Sequence, residues 1–358
     1  MNAAADTDTP PLVDITDLSV TFTGGRAPVR AVSGVSLQVR RGETVALIGE
    51  SGSGKSVTLR TMLMLHAARR TQLAGKLIVA GRNVLAMPEK ELFDYRGKVA
   101  SMIFQEPLLA LDPVYTVGAQ IVESIRRHER VSQADAHARA LQLFQRVRIP
   151  SPERRLAAYP HEMSGGMRQR AMIALALACR PELLLADEPT TALDATVQIQ
   201  VLILLRELQA ELGLGIVFVT HDIGAALEVA DRIAVMYAGR IVEEGTAREL
   251  IRSPRHPYTM ALLRSRAHGA MDKGQRLVTI AGAPPDLSCL PPGCAFAERC
   301  SFAQDPCRTQ QPPAVELAPG HRARCLRTDA TAEATAAATA TAAAAAAAKT
   351  HPEKSQLA

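Results

Sequence analysis

The chain has 358 residues, 47% of them hydrophobic and 22% charged, which suits a folded protein with room for two domains and an apolar core of its own. Its formal charge of +5 is spread over 41 basic and 36 acidic residues, and with 3% aromatics and no tryptophan this argues against a base-stacking nucleic-acid surface. No run of about 18 strongly apolar residues occurs; AMIALALAC at 171–179 comes nearest and stops at Arg180, Pro181 and Glu182, so the sequence predicts no membrane span.

The amino terminus, MNAAADTDTPPLVD, is acidic and lacks an apolar run, so no secretory signal is expected and the chain is read as cytoplasmic, with residues 1–11 flexible. Further on, ETVALIGESGSGKSVTLRTMLML passes from an alternating strand pattern ending at Ile48, through a glycine-rich turn, into a helical pattern. Within it Gly49, Glu50, Ser51, Gly52, Ser53, Gly54, Lys55 and Ser56 match G-x-x-x-x-G-K-[ST] in the strand–loop–helix setting that the motif needs. The glycines let backbone N–H groups face phosphate oxygens, and the helix that follows points its positive end at the same charge. Lys55 is expected on the β and γ phosphates and Ser56 on Mg²⁺.

HEMSGGMRQRAMIALALA begins at His161, and in it Ser164, Gly165 and Gly166 form a second helix start suited to an anion. Cys179, at the far end of that apolar helix, reads as core packing. LLLADEPT, residues 183–190, is a continuous apolar run of the kind buried on both faces of a parallel sheet. It ends in Asp187, placed to hold Mg²⁺ through water, and Glu188, placed to polarise an attacking water as general base.

Ser-Gly-Gly followed by a basic residue, Gln169 and Arg170, running into the acidic strand, resembles the signature of ATP-binding cassette (ABC) proteins. Met167 stands where the usual signature has Gln, a departure that resembles the peptide-importer branch. The resemblance implies an α/β fold, a P-loop NTPase with a RecA-like core and a helical subdomain at about 106–180, within a nucleotide-binding domain at 12–265. It also implies roles residue by residue. Phe22 would stack on adenine, Gln105 would approach Mg²⁺ and the water, Asp194 would cross a dimer interface, and His221 would hydrogen-bond the γ-phosphate. The signature would cover ATP held by a second cassette, identical or paralogous, paired head to tail.

SPRHPYTMALLRS at 253–265 and the cysteine-containing stretch after it resemble the carboxyl-terminal extension of oligopeptide, dipeptide and nickel importer ATPases, here 266–327. The implied partners are two permease subunits, docking near Leu108 to Tyr115, and an extracytoplasmic substrate-binding protein, with the ATPase peripheral on the cytoplasmic face of the inner membrane. Peptide is the expected cargo and nickel the alternative; a soluble regulatory or nucleic-acid-associated ATPase is the reading from another class. Cys294, Cys300, Cys307 and Cys325 match the extension's cysteine pattern, which in some members holds a four-iron, four-sulfur cluster. All-thiolate ligation also suits zinc, an unligated loop stays open, and Cys289 is surplus. Residues 328–348, almost wholly Ala and Thr, read as the start of a poorly ordered tail over 328–358.

Overall fold

The computed structural model describes residues 10–266 and 280–337. Most of the expected flexible amino terminus (1–9), the start of the extension (267–279) and the end of the Ala/Thr segment (338–358) lie outside the described residues. The chain divides into two compact units, Met1–Ile241 and Val242–Ala358.

In chain order the first unit runs β1 (Val13–Phe22), β2 (Val29–Val39), β3 (Thr44–Ile48), α1 (Lys55–Met62), β4 (Thr71–Val79), β5 (Arg82–Asn83), α2 (Glu89–Lys98), β6 (Ala100–Ile103), α3 (Pro107–Ala110), α4 (Val117–His128), α5 (Gln133–Arg146), α6 (Pro152–Leu156), α7 (Gly165–Ala176), β7 (Leu183–Asp187), α8 (Ala195–Leu212), β8 (Gly215–Thr220), α9 (Ile223–Val229) and β9 (Arg232–Tyr237). The sequences of β3, β7 and β8, TVALI, LLLAD and GIVFVT, are buried at every position. A strand without a polar face needs cover on both sides, and the parallel sheet supplies it. The order is β9-β3-β8-β7-β6. Register pairs Ile48 with Thr220, Asp187 with Val219 and Ile103 with Ala186, so four strands end level with one another. The loops after them therefore leave from one edge, where ligands of open α/β sheets bind.

A second, antiparallel sheet in the order β2-β1-β4-β5 packs its apolar residues into the same core. Between β6 and β7 the chain is helical. There α4 and α5 start on Thr116 and Ser132, whose side chains accept from Ala119 N and Asp135 N. These caps satisfy N–H groups that the first helical turn leaves free. The helices bury Val117, Ile121, Val122 and Ile125 on one and Ala136, Ala140, Leu143 and Phe144 on the other, an i, i+4 spacing.

The second unit holds β10 (Arg240–Thr246), most of which lies beyond the division, α10 (Ala247–Arg252), α11 (Pro257–Arg266), α12 (Asp305–Thr309), β11 (Val315–Ala318) and β12 (His321–Ala323). Its interior is organised by a buried carboxylate. Glu243, 1% exposed, accepts from Arg255 N at 2.6 Å and His256 N at 2.9 Å, and its Oε1 lies 2.9 Å from His321 Nε2. A buried carboxylate is tolerated where its oxygens are satisfied in this way. His256 is also buried; Tyr258 N donates to its Nδ1 at 3.1 Å, which leaves the proton of the neutral ring on Nε2. Phe296, from the cysteine-containing stretch, packs against the rings of His256 and Tyr258 at centroid separations of 6.0 and 5.4 Å.

Residues 328–337 are helical, against the expectation of a poorly ordered tail from residue 328 onward. Alanine is the strongest helix former, and the threonines supply anchors that a pure alanine run lacks. Thr331 is fully buried with its hydroxyl 2.8 Å from Arg255 O, and Thr335 reaches Pro254 O at 3.4 Å.

Burial pulls His256 from 6.5 down to about 4, with the Glu243 charge opposing. The unfolded chain therefore binds a proton that the folded chain refuses between those values, so this group's contribution to stability is lost as pH falls from 6.5 toward 4. Roughly 3 kcal/mol is at stake. In His256→Asn, which keeps an acceptor for Tyr258 N but does not titrate, denaturant midpoints measured across this range should lose that part of the acid dependence.

Candidate functional site

The loop after β3 is shaped by Gly49, whose φ is 152°; a Cβ there would lie 2.2 Å from Met236 O, so no side chain fits. Lys55, 5% exposed at the start of α1, donates to Gly49 O at 2.8 Å, Glu50 O at 2.9 Å and Ser53 Oγ at 3.4 Å. Its ammonium thus clasps the loop from inside. Burial lowers the Lys55 pKa, and the charges of Glu188, Asp187 and Glu50 act against that fall. A group desolvated this far gains most from added negative charge, and a phosphate supplies it. Ser51 and Gly52 form the exposed crest of the loop.

Opposite the loop stands the end of β7. Ser56 Oγ donates to Asp187 Oδ1 at 2.6 Å. Asp187 Oδ2 is buried and has no hydrogen-bond partner among the described residues; Arg60, 3.7 Å away, is an ion-pair neighbour at a distance too long for a hydrogen bond. Burial raises the Asp187 pKa, with the Ser56 bond and Arg60 opposing. An orphaned carboxylate oxygen beside a serine hydroxyl is a donor pair that fits Mg²⁺, a hard cation that takes few protein ligands and keeps its waters.

Glu188, the next residue, is where the loops meet. Its Oε2 accepts from Gln105 Nε2 at 3.2 Å and from Thr191 Oγ1 at 3.0 Å, and His221 Nδ1 lies 3.2 Å from it. Gln105 follows β6 and His221 follows β8, so three strand ends converge on one carboxylate. Lys55, Ser56, Gln105, Asp187, Glu188 and His221 are thereby gathered into one connected group.

The remaining candidates stand apart from that group. Phe22, at the end of β1, meets His66 edge to face at 5.4 Å. Ser164 caps α7 by accepting from Met167 N, and Asp194 caps α8 by accepting from Val197 N. Gly166 brings these two helix starts close, since a Cβ on it would lie 2.7 Å from Val197 Cγ1. Reasoning from motifs missed Arg60, His66 and Thr191. Arg60 lies four residues past Ser56, whose hydroxyl bonds Asp187, and so on the α1 face turned toward β7, a signal that helical spacing carried; no pattern in the sequence pointed to the other two.

Leu108, Val114 and Tyr115 are exposed, and Tyr115 lines a cavity of about 620 Å³ with Leu65, Phe104, Arg127, Met172 and Cys179. Cys179 is buried, as expected of core packing, and also forms part of this wall.

In the second unit, Gly293 permits a backbone approach that any Cβ would block at 2.3 Å, and Cys294 N donates to Cys307 O at 2.7 Å. Burial pushes the Cys294 and Cys300 thiols up and Cys325 to about 12, and each is raised further by repulsion from others of the four cysteines. Cys294, Cys300, Cys307 and Cys325 are thus electrostatic neighbours. Cys289 is exposed. Among the described residues, no group of three or more His, Cys, Asp or Glu side chains is set to hold a metal ion, which corrects the expectation of a formed four-thiolate site.

Residues 32–191 match the family model described as ABC transporter, and residues 242–307 match oligopeptide/dipeptide transporter, C-terminal region. The chain is 48% identical to a probable peptide ABC transporter ATP-binding protein of Sinorhizobium fredii over 89% of its own length and 95% of the relative's. It is also 48% identical to a putative peptide import ATP-binding protein of Brucella melitensis, over 88% and 97%, and 45% identical to the oligopeptide transport ATP-binding protein OppD of Bacillus subtilis, over 87% of each. Among solved structures, the dimeric post-hydrolysis state of the ATP-binding cassette MJ0796 bound to ADP and Pi superposes with a TM-score of 0.60 at 29% identity, covering 66% of this chain and 99% of that one.

Lys55→Ala should cut ATP affinity by about 10- to 100-fold, the scale of a lost charge-assisted contact to phosphate. Titration with a fluorescent ATP analogue measures it, and unchanged affinity would remove Lys55 from the site.

Proposed function

This chain belongs to the ATP-binding proteins of ABC transporters, in the group with the oligopeptide/dipeptide C-terminal region, and on that footing we propose that it is the ATPase subunit powering a peptide importer. The observation that carries this is the convergence of Gln105 and His221 on the Glu188 carboxylate beside Lys55 and the Ser56–Asp187 pair. The relatives' names support peptide as cargo over nickel, and give no support to a regulatory or nucleic-acid-associated ATPase.

ATP lies with its phosphates in the loop 49–54, against Lys55 and the start of α1, and its adenine on Phe22. Ser56 and Asp187 would hold Mg²⁺, which would supply positive charge to the phosphates. Glu188 takes a proton from the attacking water as its oxygen bonds the γ-phosphorus and the bond to the ADP oxygen breaks. ADP and inorganic phosphate result. His221 donates to the γ-phosphate, and Gln105 carries the change at the site toward the helical segment that starts at α3.

Two cassettes pair head to tail, so that Ser164, Gly165 and Gly166 of one cap the phosphate held by the other, with Asp194 crossing between them. A dimeric cassette among the similar structures supports this pairing. The cavity beside Tyr115, rimmed by exposed apolar side chains, receives a cytoplasmic helix of one of the two permease subunits. The subunit then works peripherally on the cytoplasmic membrane face, with cargo delivered by an extracytoplasmic binding protein; among its described residues no helix is long and apolar enough to cross a membrane.

To hold a four-iron, four-sulfur cluster, with zinc as the alternative occupant, Cys294, Cys300, Cys307 and Cys325 would have to converge from the positions they take here. A bound metal would offset the burial and mutual repulsion that raise the Cys294, Cys300 and Cys325 thiols, and soft thiolates favour both metals.

Glu188→Gln should still bind ATP, lose nearly all steady-state turnover and accumulate closed dimers in size-exclusion chromatography; turnover near the native rate would remove the general-base role. Anaerobically purified protein should carry about four iron and four sulfide per chain. Zinc without iron would select the other metal, and a metal-free, fully folded protein would defeat both.

A further inference from the structure

Glu188 sits in a strained turn. Its φ is 45° and that of Ala192 is 63°, a left-handed backbone that non-glycine residues seldom adopt and that tertiary structure must enforce. Glu188 N is held by Val219 O at 2.9 Å, and Thr191 N donates to Glu188 O at 3.1 Å, closing the turn. The closure brings the Thr191 hydroxyl back onto the carboxylate of Glu188 itself, 3.0 Å from Oε2. An ionised carboxylate only accepts, so the single hydroxyl proton of Thr191 must point at that oxygen.

The three groups around Oε2 differ in kind. Gln105 and His221 arrive from other strand ends at 3.2 Å each and also serve the nucleotide in the reading above. Thr191 has no such second duty, is tied to Glu188 through three residues of backbone, and makes the shortest of the three contacts. When Gln105 and His221 turn to the nucleotide, Thr191 remains. We propose that Thr191 is a positioning residue: by occupying Oε2 it fixes the Glu188 carboxylate and reserves Oε1 as the atom that takes the proton of the attacking water. The strained φ at Glu188 is part of the same device, because a relaxed turn would carry the hydroxyl away from the carboxylate. This inference rests on Glu188 being the general base.

The test is steady-state ATP hydrolysis by the full-length chain bearing Thr191→Val, Thr191→Ser or Glu188→Gln, and the Thr191→Val/Glu188→Gln double variant, with nucleotide affinity measured separately. Valine keeps the branched shape and volume of threonine while removing the hydroxyl. It should lower kcat about tenfold, the scale of a hydrogen bond to a charged group, and leave KM for ATP and nucleotide affinity within about twofold. Serine should recover most of that loss. In the Glu188→Gln background, Thr191→Val should add no further loss, since both changes disable one function. If Glu188→Gln abolishes turnover but Thr191→Val leaves kcat unchanged, or weakens ATP binding as much as it slows turnover, or if serine fails to rescue, the positioning role is overturned and the base assignment stands. If Glu188→Gln leaves turnover intact, both are overturned.

Discussion

The level ending of four parallel strands governs this molecule. Because Ile48 pairs with Thr220, Asp187 with Val219 and Ile103 with Ala186, the segments that follow β3, β6, β7 and β8 leave the sheet at one edge and at one height. Each brings a chemically different group: an ammonium and a hydroxyl after β3, an amide after β6, two carboxylates at the end of β7, an imidazole after β8. A slip of one residue in any pairing would move its group by about 3.3 Å and turn it to the other face. Burial of every residue in β3, β7 and β8 holds the register, since a slipped strand would bring Thr or Asp into the apolar layers.

The electrostatics of that edge follow from the same burial. Lys55 and Asp187 are both desolvated, the first with its pKa lowered and the second with its pKa raised, so each is held in surroundings that disfavour its charge. Lys55 spends its donors on the loop, while Asp187 keeps one oxygen without a hydrogen bond among the described residues. Such a site is primed for a ligand carrying both signs. Under the function proposed above, phosphates would answer the lysine and a cation the aspartate.

The second unit applies the same rule to another end. Glu243 is buried with its oxygens satisfied by two backbone N–H groups and an imidazole, and it fixes the turn that carries His256 and Tyr258. Those two rings make the socket for Phe296, which anchors the stretch where Gly293 lets Cys294 and Cys307 meet. The cysteines thus become neighbours through packing and backbone contact.

The glycine-lysine-serine loop and the apolar strand ending in two acids were legible in the sequence, because phosphate binding and double-sided burial each demand particular residues at fixed local spacing. So was the Ser-Gly-Gly helix start that led to the family, where Ser164 caps α7 over three residues. What the sequence could not decide is held by contacts between distant segments. Gln105 and Glu188, 83 residues apart, meet because two strands share a register, and Glu243 and His321, 78 apart, because β10 pairs with β12. The helix at 328–337 depends likewise on Thr331 and Thr335 finding the carbonyls of Arg255 and Pro254, which composition alone does not reveal. Thr191 lies three residues from Glu188, yet its contact needed the tertiary structure too, for the hold of Val219 O on Glu188 N fixes the strained turn against the neighbouring strand. Local chemistry was written in the order of residues; its orientation was set by the sheet, since a side chain's direction depends on every pairing that fixes its backbone.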